Sequence, residues 1–300
     1  MLRVEKNKER VAELFGRTGL SSRMLRAHPL LYGRHARAIN YHDVPAAETL
    51  LFRAQIEWFA KHFRDVGPEQ LAAILAGHFE SDRPGILISF DDGLRSAAEV
   101  VAPVLEEFGF TGWFMVPPKF VDTPVDRQAE FALENSIDYR DRHQDGRVAM
   151  TWHQVRKLSQ RHVITCHGMT HRRLSAQLTP AELDYEIRAS KNLLEDRLGR
   201  PIDAFTWIGG EEASYSAEAA RTIRESGYRY AFMTNNLPIN KGSDPLQLQR
   251  TNVESWFSGH RVLFQFSGLP DVLYFAKRRR VNALSGRSRE ASPAIASGLW

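Results

Sequence analysis

Cysteine is nearly absent from this chain of 300 residues, in which Cys166 is the only one. A single cysteine excludes an internal disulfide and any zinc cluster built on several thiolates, so a bound metal must be held by histidines and carboxylates. Long hydrophobic runs are missing too: the apolar stretches at 262–266 and 272–276 are far below the roughly 18 residues that cross a bilayer. Charge also interrupts residues 1–37 every few positions, whereas a signal peptide needs about 7–15 continuous apolar residues. These absences predict a cytoplasmic protein.

Acidic residues are scarce at the two ends of the chain. Residues 1–37 contain nine Lys and Arg against three Glu, residues 277–300 contain six against one, and the whole chain has a net charge of +4. The segment between them therefore has a net charge of −7. A nucleic-acid-binding domain has its basic surface on the folded unit, so we expect no nucleic-acid partner. Basic ends suit peripheral contact with the anionic inner face of a membrane, and solvated tails are the alternative.

Strands and helices alternate between residues 38 and 233. Short apolar runs predict strands at 86–90, 113–116, 162–166, 204–208 and 228–233, and helical spacing predicts helices at 96–108, 151–158, 179–198 and 217–226. Repeated β-α units imply a mostly parallel sheet, either open or closed into a barrel. Residues 121–150 are polar with little periodicity, which predicts a long insertion that is functional or disordered.

Chemically active side chains follow several of these strands. Asp91 and Asp92 come directly after the first predicted strand, His167 and His171 follow the third, and His42 precedes the first long helix. Ligands of parallel α/β folds bind where the strands end, so we expect these side chains to converge. Two imidazoles and one carboxylate form a ligand set for a divalent metal, and a second carboxylate can then accept a proton from water.

Each of these motifs has a structural alternative. Asp-Asp-Gly at 91–93 is also a common turn that caps a helix, and two histidines four residues apart also occur without a metal. Their joint presence at the ends of two strands of one α/β unit is what favours a metal site. Cys166 is predicted to point from its strand into the core.

Five segments of the chain match a set of motifs in order and spacing. They are I-S-F-D-D-G at 88–93, C-H-G-M-T-H-R-R-L at 166–174, E-I-R-A-S-K at 186–191, L-E-D-R-L-G-R-P at 194–201 and G-Y-R-Y-A at 227–231. Together they resemble the polysaccharide deacetylase superfamily, whose members include chitooligosaccharide and peptidoglycan N-deacetylases. The resemblance extends over about residues 38–235.

The resemblance implies both a fold and an activity. The fold is α/β, a distorted (β/α) barrel of about seven strands, with a single catalytic domain at 38–276 and basic extensions at 1–37 and 277–300. The activity is metal-dependent removal of N-acetyl groups from amino sugars, which releases acetate and a free amine.

The resemblance also implies the roles of individual residues. It makes Asp91 the general base and makes Asp92, His167 and His171 the ligands of a divalent metal. The metal is most often zinc in this family, with cobalt and nickel as alternatives.

A Tyr-His pair at residues 41 and 42 resembles one found in the branch of biofilm poly-N-acetylglucosamine deacetylases, where the histidine is the general acid. An amine leaving group needs a proton as it departs, and histidine is the side chain whose ordinary pKa suits that role near neutral pH. We therefore predict His42 as the acid. Glu211 and Glu212 are the alternative acids, and a satisfied histidine at a strand end is the structural alternative for His42.

The chain departs from the family pattern at two places. The third motif, usually R-x-P-Y or Y-P-[YF]-G, reads W-I-G-G at 207–210, so the arginine that orients the base is predicted to be missing. Gly168 stands where the family has Ser or Thr. Trp207 is predicted either to stack on a sugar ring or to fill the core, and Gly209 and Gly210 to border the developing oxyanion.

These observations predict a metal-dependent N-deacetylase that acts on an N-acetylated glycan or a lipid-linked glycan precursor in exopolysaccharide biosynthesis. The altered third motif favours a first rival, a catalytically silent carbohydrate-binding relative. The basic ends favour a second, a scaffold protein at a membrane surface. A third alternative is hydrolysis of another C–N bond or of an ester by the same site.

Overall fold

Seven parallel strands close into a barrel in the computed structural model of this protein, which describes residues 2–285. The order around the barrel is β1-β8-β7-β6-β5-β4-β3, and β3 pairs with β1 to complete the ring. The predicted (β/α) barrel of about seven strands is confirmed. The strands are β1 (Ala36–Tyr41), β3 (Gly85–Phe90), β4 (Gly112–Val116), β5 (Val163–Cys166), β6 (Ala204–Thr206), β7 (Tyr230–Met233) and β8 (Leu248–Asn252), with the short β2 (Arg64–Asp65) beside the start of β3.

Helices surround the barrel and connect its strands. In the first half of the chain they are α1 (Leu2–Arg17), α2 (Leu20–Tyr32), α3 (Thr49–His62), α4 (Pro68–Ala76), α5 (Ala102–Glu107), α6 (Pro118–Asp122) and α7 (Val125–Glu134). In the second half they are α8 (Trp152–Leu158), α9 (Pro180–Asp184), α10 (Ser190–Leu198), α11 (Ala217–Glu225), α12 (Gly259–Gln265), α13 (Leu269–Leu273) and α14 (Phe275–Leu284). Within residues 2–285, no helix combines the length and the apolar character needed to cross a membrane.

The predicted helix at 179–198 begins and ends where its sequence indicates. The Thr179 hydroxyl accepts a hydrogen bond from the backbone N–H of Glu182, whose carboxylate accepts one from the N–H of Thr179. Gly199 ends the helix in the left-handed conformation, with a φ of 65°. A π-helical turn that was not predicted, Tyr185–Ala189, separates α9 from α10 and buries Glu186.

Alternation along each strand gives the barrel wall two faces. On β3, Ile88 packs outward in the main core beneath the helices, whereas Leu87 belongs to the smaller core inside the barrel. The same period turns Ser89 and Asp91 inward at the end of the strand, and Arg250 of β8 reaches both of them. The interior is therefore apolar where β3 begins and polar where it ends, which positions the site.

The N-terminal helices pack on the barrel through α12 and α13. The rings of Phe15 and Phe264 meet edge to face with centroids 5.5 Å apart, and the Tyr32 hydroxyl donates a hydrogen bond to Asp271 at 3.2 Å. Most of the predicted extension at 1–37 is thus helical, and its separation from the catalytic domain stays a prediction. The predicted tail at 277–300 begins within α14, and residues 286–300 lie outside the described part of the chain.

The predicted insertion at 121–150 folds against the barrel. It contains α7, on which the Gln128 side-chain oxygen accepts hydrogen bonds from the backbone N–H groups of Val148 and Ala149 at 2.8 and 3.0 Å. Asp43, just after β1, accepts a hydrogen bond from the backbone N–H of Arg140 at 2.6 Å. The charged, exposed face of α7 explains why the segment resembles a loop in sequence.

Candidate active site

The three predicted metal ligands converge where β3 and β5 end. Asp92 Oδ1 lies 3.0 Å from Nε2 of His171 and 3.5 Å from Nε2 of His167, and all three side chains are buried. One ligand atom from each residue falls within 4.8 Å of the other two. Cys166 points away from them into the core, as predicted, and its Sγ lies 3.0 Å from Ser190 Oγ.

The outer ring nitrogens of both histidines are already engaged. Nδ1 of His167 donates to the carbonyl oxygen of Thr206 at 2.9 Å, and Nδ1 of His171 donates to that of Asn135 at 2.7 Å. A neutral imidazole that is protonated at Nδ1 has a lone pair at Nε2. Two lone pairs therefore face Asp92 Oδ1, which has no hydrogen-bond partner among the described residues.

Asp92 Oδ1 is thus a buried acceptor without a donor that faces two imidazole nitrogens, and a divalent cation bound between them removes the cost of leaving it unpaired. The set of two imidazoles and one carboxylate is also the donor chemistry that zinc prefers, with positions left open for water and substrate. The residues present therefore fit a catalytic divalent metal.

A buried carboxylate fixes the loop between the two histidines. Glu186 accepts hydrogen bonds from the backbone N–H groups of Met169 at 2.8 Å and Thr170 at 3.0 Å. Gly168 has a φ of 70°, and a Cβ there would lie 2.9 Å from Oε2 of Glu186. The Ser or Thr of the motif that this loop resembles would therefore be crowded by Glu186 and strained by the positive φ. The loop ends at His171, whose φ of 66° is rare for a residue with a side chain.

Asp91 points away from its neighbour Asp92 and is bound on both oxygens by one arginine. Nη1 of Arg250 donates to Oδ1 at 2.5 Å and Nη2 donates to Oδ2 at 3.0 Å, while Nη1 also donates to Ser89 Oγ at 3.0 Å. Burial alone would raise the pKa of Asp91, but the positive charge of Arg250 outweighs it and holds this pKa below its ordinary value. The prediction that the orienting arginine is missing is wrong, because β8 supplies it in place of the third motif.

His42 stands at the end of β1, opposite the metal triad. Its Nδ1 donates to Oε1 of Glu254 at 2.8 Å, and its Nε2 lies 4.0 Å from Oδ2 of Asp91. Burial lowers the pKa of His42, but the carboxylate of Glu254 in contact with the ring, together with Asp92 and Asp91, raises it to about 10. The side chain remains 38% exposed.

The residues of the altered third motif lie partly in the core and partly in the loop after β6. Trp207 is 1% exposed and stacks on Tyr215 with ring centroids 4.9 Å apart, so it fills the core and has no free face for a sugar. The N–H of Gly210 donates to Ser214 Oγ at 2.8 Å. Both Gly209 and Gly210 have positive φ, 84° and 86°, which favour glycine.

The alternative acids of this loop are engaged with cations near the surface. Glu212 accepts a hydrogen bond from Nε of Arg280 at 2.7 Å, and Glu211 lies 3.8 Å from both Lys277 and Arg173. Neither glutamate has a described contact with Asp91. The geometry therefore favours His42 over Glu211 and Glu212 as the acid.

Three residues of this site were not predicted. Arg250 and Glu254 belong to β8 and the turn after it, and Glu186 belongs to the π-helical turn. The E-I-R-A-S-K segment carries Glu186, so the motif was found without its structural role. No sequence signal pointed to the other two, which are ionisable residues within and just after a short, largely polar strand.

Known proteins resemble this chain in sequence and in fold. The family model for polysaccharide deacetylases matches residues 80–231, which contain Asp91 and all three metal-ligand candidates. The Bacillus subtilis protein YxkH, which is named after the same family, is 20% identical over 226 residues, covering 73% of this chain and 71% of that protein. The poly-β-1,6-N-acetyl-D-glucosamine N-deacetylase of Escherichia coli K12 is 25% identical over 137 residues, 42% of this chain and 19% of that enzyme. The matched region thus spans about a fifth of that relative.

Solved structures share the barrel. The deacetylase PplD of Streptococcus pyogenes superposes with a TM-score of 0.62 at 16% identity, over 77% of this chain and 98% of that one. The deacetylase domain of BpsB from Bordetella bronchiseptica gives 0.58 at 20% identity over 74% and 97%, and IcaB from Ammonifex degensii gives 0.55 at 17% over 80% and 98%. At these identities the likeness shows the fold. Because the family model matches half of the chain, including the buried Asp-His-His cluster, the protein belongs to the polysaccharide deacetylase family.

Proposed function

We propose that the protein is a metal-dependent N-deacetylase that hydrolyses N-acetyl groups on the amino sugars of a glycan or a lipid-linked glycan precursor. One observation carries the proposal: the Asp-His-His cluster, the ion-paired Asp91 and the carboxylate-bound His42 surround a single centre at the mouth of the barrel. The E. coli relative, named for an N-deacetylase of poly-β-1,6-N-acetyl-D-glucosamine, supports the choice of an N-acetylated amino sugar.

Asp92, His167 and His171 would hold the metal, and we propose zinc because its preferred ligands are present. Cobalt and nickel accept the same donors. When bound, the ion supplies the Lewis acidity that polarises the acetyl carbonyl and lowers the pKa of water.

Asp91 is the proposed general base. Its carboxylate is kept ionised by Arg250, and each oxygen retains a lone pair beyond the one that accepts from the guanidinium. It accepts the proton of the attacking water while the C–O bond forms. Arg250 also fixes the orientation of the carboxylate, so that the lone pair used in the reaction needs no rearrangement.

His42 is the proposed general acid. Its Nε2, 4.0 Å from Asp91, donates a proton to the sugar nitrogen as the C–N bond breaks, and acetate and a free amine are the products. Glu254 holds the other ring nitrogen and stabilises the protonated imidazole before transfer. We assign the amide of Gly209 to the developing oxyanion, because the amide of Gly210 is occupied by Ser214.

A panel of acceptors tests the proposal. Acetate release is measured from N-acetylglucosamine oligomers, other N-acetylhexosamine oligomers and lipid-linked N-acetylated sugars, with protein stripped of metal and reloaded with zinc, cobalt or nickel. We expect acetate to be released from at least one member of the panel, and only when the protein is loaded with metal. An O-acetylated glycan in the same assay tests the ester alternative.

Asp91→Asn is the matched control, since it keeps the size of the side chain and all three metal ligands. It should bind metal normally and release acetate about 10²–10⁴ times more slowly. Metal and glycan binding without acetate release from any substrate would instead identify a silent carbohydrate-binding relative, and loss of biological function only on trimming the ends would identify a scaffold.

A further inference from the structure

Large apolar side chains are exposed mainly on two parts of this protein. Of the fifteen exposed large hydrophobic residues in the described chain, nine belong to α1–α2 or α13–α14. Five of them, each between 51% and 89% exposed, form what we call the apolar face: Leu30 and Leu31 of α2, Val272 and Leu273 of α13, and Phe275 of α14. Exposed apolar residues concentrated in this way mark an interaction surface.

The two parts of the apolar face are held next to each other. Tyr32, at the end of α2, donates a hydrogen bond to Asp271 of α13 at 3.2 Å. Gly268, which precedes α13, packs against His28 of α2, and a Cβ there would lie 2.8 Å from Nε2 of that ring. Because Tyr32 and Asp271 turn toward each other, the leucines beside Tyr32 and the apolar pair after Asp271 remain on the outside.

Basic residues without acidic partners accompany the apolar face. Arg23 and Arg26 of α2, Arg34 just after it and Arg279 of α14 are exposed, and they form no ion pair with the side chains that the structure describes between residues 8 and 285. The segments 1–37 and 277–300 have an excess of basic over acidic residues, whereas residues 38–276 have a net charge of −7. The four unpaired arginines therefore lie on or just after α2 and on α14, the elements that also carry Leu30, Leu31 and Phe275.

We propose that the apolar face docks on the surface of an anionic lipid bilayer, with the apolar side chains entering the headgroup region and the surrounding arginines contacting lipid phosphates. Charge complementarity selects this partner over a second copy of the chain. A symmetric dimer would bring the same arginines from both copies together, which is repulsive. The acidic body disfavours docking by the opposite side. The inference concerns where the protein resides and goes beyond its action on a glycan.

Co-sedimentation of the full chain with vesicles tests the proposal, using phosphatidylcholine alone and phosphatidylcholine mixed with phosphatidylglycerol. We expect binding to the mixed vesicles at low salt and release at high salt. The paired substitutions Leu30→Ser with Leu31→Ser, and Val272→Ser with Leu273→Ser, should each weaken binding about tenfold. Leu50→Ser with Leu51→Ser on α3 is the matched control, because it also replaces two adjacent exposed leucines but lies outside the apolar face. Its binding to the vesicles should be unchanged.

Circular dichroism and acetate release from a water-soluble oligomer are recorded for every variant, so a misfolded or inactive protein is distinguished from one that only loses lipid binding. No binding to mixed vesicles overturns the proposal. So does binding that the Ser pairs on the apolar face leave unchanged, since the basic ends alone would then account for it. Concentration-dependent dimers that dissociate in the Leu30→Ser, Leu31→Ser variant would overturn it as well and assign the face to a second copy.

Discussion

Arg250 and Asp91 form a buried, two-point ion pair inside the barrel, although they lie 159 positions apart in the chain. The pair fixes a carboxylate beside the Asp-His-His cluster and keeps it ionised despite its burial. It also links β8 to the end of β3, so the same contact orients Asp91 and stabilises the closed barrel.

Replacing Arg250 with methionine should therefore affect stability and turnover together. A buried carboxylate left without its partner costs about 3–5 kcal/mol in free energy of unfolding. The pKa of Asp91 then rises because the largest influence that opposes burial is removed, and turnover falls about 10²-fold or more at neutral pH. Urea unfolding and acetate release measure the two effects.

Arg37→Met is the matched control for that variant. Arg37 and Asp271 form a second buried two-point pair, with distances of 2.9 and 2.8 Å, away from the metal cluster. Its loss should lower the free energy of unfolding by a similar amount and leave turnover of the folded protein unchanged. Equal loss of turnover in both variants would mean that Arg250 acts through stability alone.

Metal binding should depend on Asp92 and His171. Purified protein is expected to hold about one divalent ion, and Asp92→Asn or His171→Ala should weaken binding tens-fold or more, because each removes a ligand atom. Atomic emission after dialysis against a chelator series measures the occupancy. Asp145→Asn, at an exposed carboxylate that pairs with Arg95, is the control. Full occupancy in both ligand variants would contradict the assignment.

The identity of the acid can be resolved by comparing three alanine variants. His42→Ala should keep its metal and fold while turnover falls about 10²–10⁴-fold, because the amine must then leave unprotonated. Glu211→Ala and Glu212→Ala should retain near-normal turnover, since both side chains pair with cations away from Asp91. The opposite pattern would assign the acid to the loop after β6 and make the N-terminal assignment wrong.

Glu186 should influence metal affinity without touching the metal. Glu186→Gln keeps the shape of the side chain but loses the charge that binds two backbone N–H groups between the histidines. We expect about a tenfold or greater rise in the metal dissociation constant, the effect typical of groups that orient ligands. Ser190→Ala, nearby on α10 and equally buried, is the control and should change stability only. Unchanged affinity in Glu186→Gln would show that the loop holds its conformation unaided.

Acid should loosen the contact between α2 and the barrel. His28 is buried, and burial, aided by the charge of Arg37, lowers its pKa from 6.5 to about 4. Between those values the unfolded chain binds a proton that the folded chain does not. The contribution of His28 to stability is therefore complete above pH 6.5 and is lost as pH falls toward 4, by up to about 3 kcal/mol.

The buried His35 has a pKa shifted in the same direction by the same cause, so the two effects add. Urea unfolding at pH 7 and pH 5 measures the slope. His28→Phe should flatten it, whereas His153→Phe, at an exposed position on α8, should not. A slope that is unchanged by His28→Phe would place the acid sensitivity elsewhere.

The sequence predicted most of the barrel because most strands are continuous apolar runs. It did not predict β8, which runs L-Q-R-T-N at residues 248–252. The interior face of this strand carries Arg250 to the active site, so the strand lacks the apolar signal by which a buried strand is recognised. A strand that contributes polar groups to a site therefore resembles a loop when seen in sequence alone.

The same limit applies to the site. Asp91, Asp92, His167 and His171 lie in two short motifs, where spacing along the chain is informative. The contact between His42 and Glu254 joins residues 212 positions apart, and only the closure of the barrel brings them together. Local spacing cannot report such a pairing, which explains why the arginine was predicted to be missing although Arg250 of β8 pairs with Asp91.

The carbonyl oxygens of Asn135 and Thr206, which fix the two histidine rings, belong to the main chain. Every amino acid at those two positions supplies the same oxygen, so a substitution whose side chain fits the available space leaves the ring orientation intact. Only a change in the length or path of the backbone can remove it. The side chain at residue 135 can thus be changed without loss of the hydrogen bond to His171. A single deletion within residues 121–150, by contrast, would move the carbonyl and misorient the His171 ring. Comparing which amino acids occupy these positions would not reveal this sensitivity to chain length.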